Sequence, residues 1–139
     1  MSNKIFVDTN ILVYCFDNSD MNKKEKAVRI IEDLWDEASG VLSLQVLKEF
    51  FVTVTAKLPE KMDFKTAKTA VADLFNWNVF LENRNSLEKS FEIIQKYQLS
   101  FWDANIISAA ILSDCKKIYS EDLRHNQEIE GARIINPFL

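Results

Sequence analysis

Five short strand-like runs, separated mostly by stretches of helical period, constrain this chain more than any other feature. The runs are Lys4-Ile5-Phe6-Val7, Val41-Leu42-Ser43, Asn78-Val79-Phe80-Leu81-Glu82, Lys117-Ile118-Tyr119-Ser120 and Arg133-Ile134-Ile135-Asn136. Thr9 to Phe16 is apolar and reads as a helix, closed by the loop signal Asp17-Asn18-Ser19-Asp20. Asn22 followed by Glu25 resembles a capping box, and apolar residues from Ala27 to Ala38 recur at helical spacing before Gly40 supplies a stop. Further helices are expected from Leu44 to about Leu58, from Phe64 to about Asn76 behind Asp63, from an Asn85/Glu88 cap to about Tyr97, and from a Ser100/Asp103 cap to about Asp114. Strands alternating with helices imply an α/β fold with a parallel sheet covered on both faces and right-handed crossovers. In such sheets ligand chemistry gathers at the carboxyl ends of the strands.

A chain of 139 residues, 47% of them hydrophobic, is expected to form a single domain spanning residues 1–139. With only two Gly and two Pro, it has no Gly-rich phosphate loop and no flexible linker. The start, Met1-Ser2-Asn3-Lys4-Ile5, lacks the pattern of a secretory signal, and no stretch approaches the length of a membrane helix. Cys15 and Cys115 sit in apolar helical patterns without metal-type spacing, so they read as reduced core residues of a cytoplasmic protein. The net charge of −4 argues mildly against RNA binding through charge alone, but carboxylates that hold cations enter that tally as negative.

Four acids stand where the expected topology converges. Asp8 directly follows the first strand, and Asp122 comes two residues after the end of the fourth. Asp103 opens the helix that feeds the fourth strand, so it lies at the same edge. Glu49 is roughly 8–9 Å along the helix that leaves Ser43. The intervals between the four are 41, 54 and 19 residues. Clustered carboxylates repel unless a cation or proton is shared, and hard divalent cations with oxygen ligands relieve the repulsion. Mg²⁺ or Mn²⁺ on carboxylates and water forms a phosphoryl-transfer site.

Each acid also has a plainer reading. Asp103 serves either as a capping acid or as a ligand, and the two are compatible. Glu49 lies beside the stripe Val46, Phe50, Val54, Leu58, so periodicity alone leaves it facing solvent. Asp122 can cap a short turn, and Ser120 either makes a turn or orients Asp122. Asp8 is the sharpest, because a carboxylate ending a buried strand needs a partner.

These residues resemble the motifs of the PIN-domain family, in order and over nearly the whole chain. They are Phe6-Val7-Asp8-Thr9-Asn10-Ile11-Leu12, Ser43 to Phe50 with Glu49, Ser100 to Ile106 with Asp103, and Tyr119-Ser120-Glu121-Asp122-Leu123 followed by Ile135 to Phe138. The resemblance implies a three-layer α/β/α sandwich around a short parallel sheet of strand order 3-2-1-4-5. It implies Mg²⁺- or Mn²⁺-dependent hydrolysis of RNA, leaving 5′-phosphate and 3′-hydroxyl ends. Members of this size are usually VapC-type toxins, homodimeric by family habit and neutralised by a small antitoxin protein. Asp8, Glu49, Asp103 and Asp122 become the catalytic, metal-binding acids, with Thr9, Asn10 and Ser120 in support. Glu121 beside Asp122 departs from the pattern and leaves open which acid acts.

Other classes fit less well. Metal-free ribonucleases commonly use two histidines, whereas this chain has only His125. A haloacid-type phosphatase would want an Asp where Asn10 stands. Lys116, Lys117, Arg124 and His125 flank the fourth strand as candidate RNA contacts, with Arg124 and His125 expected near the rim. Lys23, Lys24, Lys26 and Arg29 form either a solvated helix face or a second approach to it. The aromatic residues Phe75, Trp77, Phe80 and Trp102 can be core, groove or dimer surface, with core as the default reading. The competing functional class is a non-catalytic α/β interaction domain with a cation-stabilised acidic site.

Overall fold

The strand runs pair in parallel because each is short, apolar and separated from the next by a helix. The computed structural model describes residues 3–139; Met1 and Ser2, part of the expected domain and of the N-terminal reading, lie outside the described residues. The elements are β1 (Ile5–Val7), α1 (Thr9–Tyr14), α2 (Met21–Asp36), β2 (Gly40–Ser43), α3 (Leu44–Ala56), α4 (Phe64–Leu74), β3 (Asn78–Phe80), α5 (Arg84–Tyr97), α6 (Phe101–Leu112), β4 (Lys117–Tyr119), β5 (Glu128–Ile129) and β6 (Ala132–Ile135). The sheet order is β3-β2-β1-β4-β6-β5, between layers of helices. The first five strands in that order are the five read from the sequence, in the expected 3-2-1-4-5 arrangement.

The sixth strand was not foreseen. β5 pairs antiparallel with β6, and Glu130 (φ 48°) and Gly131 (φ 88°) make the turn between them. Two successive positive φ values are the geometry of a tight two-residue hairpin, and Gly accepts the second without strain. Two residues are too few to carry a pattern, although Ile129 is fully buried.

Phe6 stands opposite Val41 on one side and Ile118 on the other, and Ile118 opposite Ile134. All four are buried. This row anchors the core, so the polar residues that follow the strands emerge together at one rim. The Asp8 N–H donates to the Tyr119 carbonyl at 2.9 Å and the Ser120 N–H to that of Ile135 at 3.0 Å, which extends the ladder to that rim.

Three end signals differ from expectation. Asp20, rather than Asn22, caps α2 by accepting the Lys23 N–H. Asn83, rather than Asn85, caps α5 in a reciprocal box with Ser86. The turn that closes α2 runs through Ala38 (φ 53°), where the N–H groups of Ala38 and Ser39 return to the carbonyls of Trp35 and Leu34. Gly40 is therefore free to begin β2, where its bare Cα lies beneath Trp77. A Cβ there would stand 1.9 Å from the indole ring. Gly40→Ala is expected to cost about 1–3 kcal/mol through overpacking, read as a lower urea midpoint. An unchanged midpoint would mean that Trp77 yields freely.

Both cysteines are free thiols, and burial pushes each up to about 12, which leaves them unreactive. Cys115 is buried in the loop that follows α6 rather than lying in a helix. Trp77 and Phe80 pack against the core as expected, but Phe75 and Trp102 are exposed. Both stand at a helix end, Phe75 just after α4 and Trp102 in the first turn of α6. Among the described residues, no helix is long and apolar enough to cross a membrane.

Candidate functional site

The rim opens into a cleft of about 690 Å³ whose lining includes Asp8, Glu49, Asp103 and Asp122. Asp8 ends β1 and caps α1, accepting the Thr9 N–H at 2.7 Å on one carboxylate oxygen. Its other oxygen accepts the Ser120 hydroxyl at 2.7 Å. Asp8 is only 7% exposed. Burial above all pushes its pKa up to about 6; the bonds from Ser120 and Thr9 pull it back, while the charges of Glu49 and Asp122 push it up again.

Each neighbouring acid is held by a residue from the first or fourth motif. The Thr9 hydroxyl donates to Glu49 Oε1 at 2.8 Å, so Glu49 points into the cleft rather than to solvent. Asn10 Nδ2 donates to Asp122 Oδ2 at 3.1 Å and, more weakly, to Asp8 Oδ2 at 3.4 Å. Asn10 Oδ1 accepts the Glu121 N–H at 3.1 Å, which fixes the loop that presents Asp122. The Ser120 oxygen accepts the N–H groups of Asp122 and Leu123, both at 3.2 Å. Ser120 thus both turns the chain and orients Asp8.

Asp103 faces the cleft from the start of α6. Its backbone N–H completes the cap with the Ser100 hydroxyl at 3.2 Å. Its carboxylate has no hydrogen-bond or ion-pair partner among the described residues. The capping role therefore leaves the side chain available to a ligand.

Glu121 and Asp122 are distinguished by their partners. Glu121 accepts from Lys23 and from the Tyr14 hydroxyl. Burial raises its pKa, but those two bonds and the Lys23 charge outweigh it and hold the carboxyl below the usual range. Glu121 is tied to α1 and α2, while Asp122 stands beside Asp8. Lys23 reaches the rim through this pair.

The other basic residues lie elsewhere. Lys116 and Lys117 stand at the start of β4, the end opposite Ser120, because a parallel strand can offer only its carboxyl end to this rim. Arg124 and His125 are exposed beyond Asp122, where His125 Nδ1 accepts the Asn136 N–H at 2.9 Å. None of the four lines the cleft; its basic residues are Lys48 and Lys57.

Sequence reasoning missed a buried amide pair. Gln45 Nε2 lies 3.4 Å from Glu49 Oε2 and 3.4 Å from the Trp102 carbonyl, and Gln45 Oε1 accepts Asn105 Nδ2 at 2.6 Å. Asn105 in turn accepts the buried Ser90 hydroxyl at 3.0 Å. This chain of bonds ties α3 and its Glu49 to α6 and its Asp103. The one legible signal was the four-residue interval from Gln45 to Glu49, which makes neighbours on a helix.

The donor set is carboxylate oxygen throughout, which suits a hard divalent cation. Among the described residues, no three acidic, His or Cys side chains converge into a preformed cage. An open acidic cleft of this kind fits Mg²⁺, which keeps several waters and is bound through a few carboxylates and substrate phosphates rather than an all-protein shell. A buried Asp8 whose pKa is pushed up to about 6 amid two further acids fits the same cation, whose charge would favour the ionised carboxylate.

The family model described as PIN domain matches residues 5–128. No curated protein matches the chain by sequence. Among solved structures, a toxin-antitoxin complex from Klebsiella pneumoniae aligns with TM-score 0.72 at 21% identity, covering 97% of this chain and 98% of that one. The Mycobacterium tuberculosis VapC20 toxin, described as cleaving the Sarcin-Ricin loop, aligns at 0.65 and 20% identity over 86% of this chain and 90% of that one. The DNA-bound VapBC from Salmonella typhimurium aligns at 0.66 and 18% identity over 96% and 97%. At these identities the likeness bears on the fold.

Proposed function

The chain belongs to the PIN-domain family, and on that premise we propose that it is a Mg²⁺- or Mn²⁺-dependent endoribonuclease, the toxin of a toxin–antitoxin pair. The observation that carries this reading is the buried Asp8, held by Ser120 and Thr9 and flanked by Glu49 and Asp122 in one open cleft. Nucleases of this family generally use divalent metal ions. Asp8, Glu49, Asp122 and Asp103 would hold the cation. Bound there, it supplies charge neutralisation for the phosphate and lowers the pKa of a water nucleophile.

The chain's own residues do the positioning. Ser120 keeps one Asp8 oxygen fixed, and Thr9 and Asn10 aim Glu49 and Asp122 into the same space. Preorganised carboxylates avoid reorganisation when charge develops on the phosphate. The fold likeness to toxin–antitoxin structures supports a small antitoxin as partner. An acidic cleft in a protein of net charge −4 suits a basic segment of such a partner, which would compete with both cation and RNA. Homodimerisation and a cytoplasmic location accompany this reading.

The test is incubation of the purified protein with RNA and Mg²⁺ or Mn²⁺, with sequencing of the cut ends. Discrete cuts bearing 5′-phosphate and 3′-hydroxyl ends are expected, suppressed by co-expression with the product of a neighbouring small reading frame. Protein that binds that partner but cuts no RNA would instead be a non-catalytic interaction domain.

A further inference from the structure

The acidic cleft has an aromatic wall that the hydrolysis does not require. Trp102 lines the cleft directly beside Asp103 and is 62% exposed. Other large apolar side chains are also exposed, so exposure alone decides nothing. The difference is location, since among the described residues Trp102 is the exposed aromatic side chain that shares a cleft with the four acids. It is also held in position. Its carbonyl lies 3.4 Å from the amide of buried Gln45, and its ring packs in a T-shaped contact with Phe101 at 4.9 Å between centroids. An aromatic ring fixed at its base and largely exposed suits stacking.

The opposite end of the cleft follows α3. Gln45, Lys48, Glu49, Val52, Thr53 and Lys57 line it at intervals that keep one helix face turned inward. The twelve steps from Gln45 to Lys57 cover about 18 Å at a 1.5 Å rise. Gln45 marks the Trp102 end, Glu49 the acids and Lys57 the far end. Lys48 and Lys57 have no ion-pair partner among the described residues, although acids share the cleft. Phosphate is the ligand that unpaired lysines beside an acidic centre (Lys48) and beyond it (Lys57) would take.

We infer that Trp102 stacks an unpaired nucleobase beside the scissile phosphate, while Lys48, next to Glu49, and Lys57, further along α3, hold phosphates of the same strand. This rests on the ribonuclease reading and deepens it, since it names the recognition residues and the form of substrate. A stacked base must be out of a duplex, so single-stranded RNA is selected over double-stranded RNA. The two lysines also resolve how a protein of net charge −4 engages RNA, because the interactions are local to the cleft.

The experiment measures the affinity of a fluorescently labelled single-stranded oligoribonucleotide, by anisotropy in Mg²⁺, for Asp8→Asn protein in which cleavage is suppressed. Adding Trp102→Ala is expected to weaken binding roughly 5- to 150-fold, the range covered by loss of one base–aromatic stack. Trp102→Tyr should restore most of it, and Trp102→Leu, which keeps apolar bulk without a stacking face, should not. Replacing Lys48 and Lys57 with Gln should flatten the logarithmic slope of affinity against salt by about 0.7 for each phosphate no longer neutralised. Equal binding by Trp102→Ala and its parent, with wild-type protein cleaving RNA, overturns the inference and leaves the ribonuclease reading standing. Wild-type protein that neither cleaves nor binds RNA removes both. A change of oligomeric state in Trp102→Ala by light scattering, without rescue of RNA binding by Tyr, assigns the ring to a protein interface and also overturns the inference.

Discussion

Asp8→Asn is expected to lower RNA cleavage by roughly 10²–10³-fold or more while leaving the fold intact, the scale of removing one charge-stabilising group from a transition state. Asparagine preserves the size of the side chain but removes the charge that a cation would meet. The same change should stabilise the protein without metal. The folded pKa of Asp8, about 6, lies above its ordinary value of 3.8. A carboxyl raised in this way contributes its full stability below pH 4 and loses it as pH rises through 6. The ionised form at neutral pH thus costs on the order of 3 kcal/mol. Asparagine avoids that cost but matches the Ser120 and Thr9 donors less well, at about 1 kcal/mol. A net gain of about 1–2 kcal/mol at pH 7.5 is expected, vanishing near pH 4, where wild-type Asp8 is itself neutral. Urea unfolding at the two pH values measures it. Comparable cleavage by the folded variant at saturating Mn²⁺ would contradict the catalytic assignment.

Chelation should have an equally large effect. EDTA is expected to abolish cleavage, and added Mg²⁺ or Mn²⁺ to restore it, because the described cleft offers carboxylates and no histidine pair for metal-free chemistry. The cation should also stabilise the fold, by about 2.7 kcal/mol at a hundred times its dissociation constant. It must displace the proton that Asp8 holds below pH 6, so affinity and rate should both fall as pH drops through that value. A thermal-shift titration at pH 5 and pH 7.5 separates this from general acid unfolding. Undiminished cleavage in chelator, with contaminating ribonucleases excluded, would require a different mechanism.

Much of this architecture was legible because short-range rules carry it. The runs at Phe6, Leu42, Val79, Ile118 and Ile134 are apolar enough to be strands and too short to be helices, and all five pair in the sheet. Asp63 and Ser100 cap α4 and α6 because their side chains reach the N–H three residues on, a distance set by helix geometry alone. The caps of α2 and α5 fall at Asp20 and Asn83 instead of the expected residues for a related reason. Several Asn and Asp residues lie within one turn of each helix start, and only the incoming direction of the chain selects among them.

The sequence by itself determined that four acids would emerge on one side of a parallel sheet, since strand ends and helix starts alternate between its edges. Tertiary structure alone decided what each acid does there. Glu49 lies off the apolar stripe of α3, and its hydrogen bond with Thr9, 40 residues away, turns it inward. Glu121 and Asp122 are adjacent and chemically alike, yet Lys23 and Tyr14 claim one while Asn10 claims the other. Trp102 reads as core by default but is 62% exposed and lines the cleft, since its position in the first turn of α6 sets it at the rim. Periodicity records which face of an element is apolar. It cannot record which distant side chain arrives at the other face, because that partner is chosen by the folding of the whole chain.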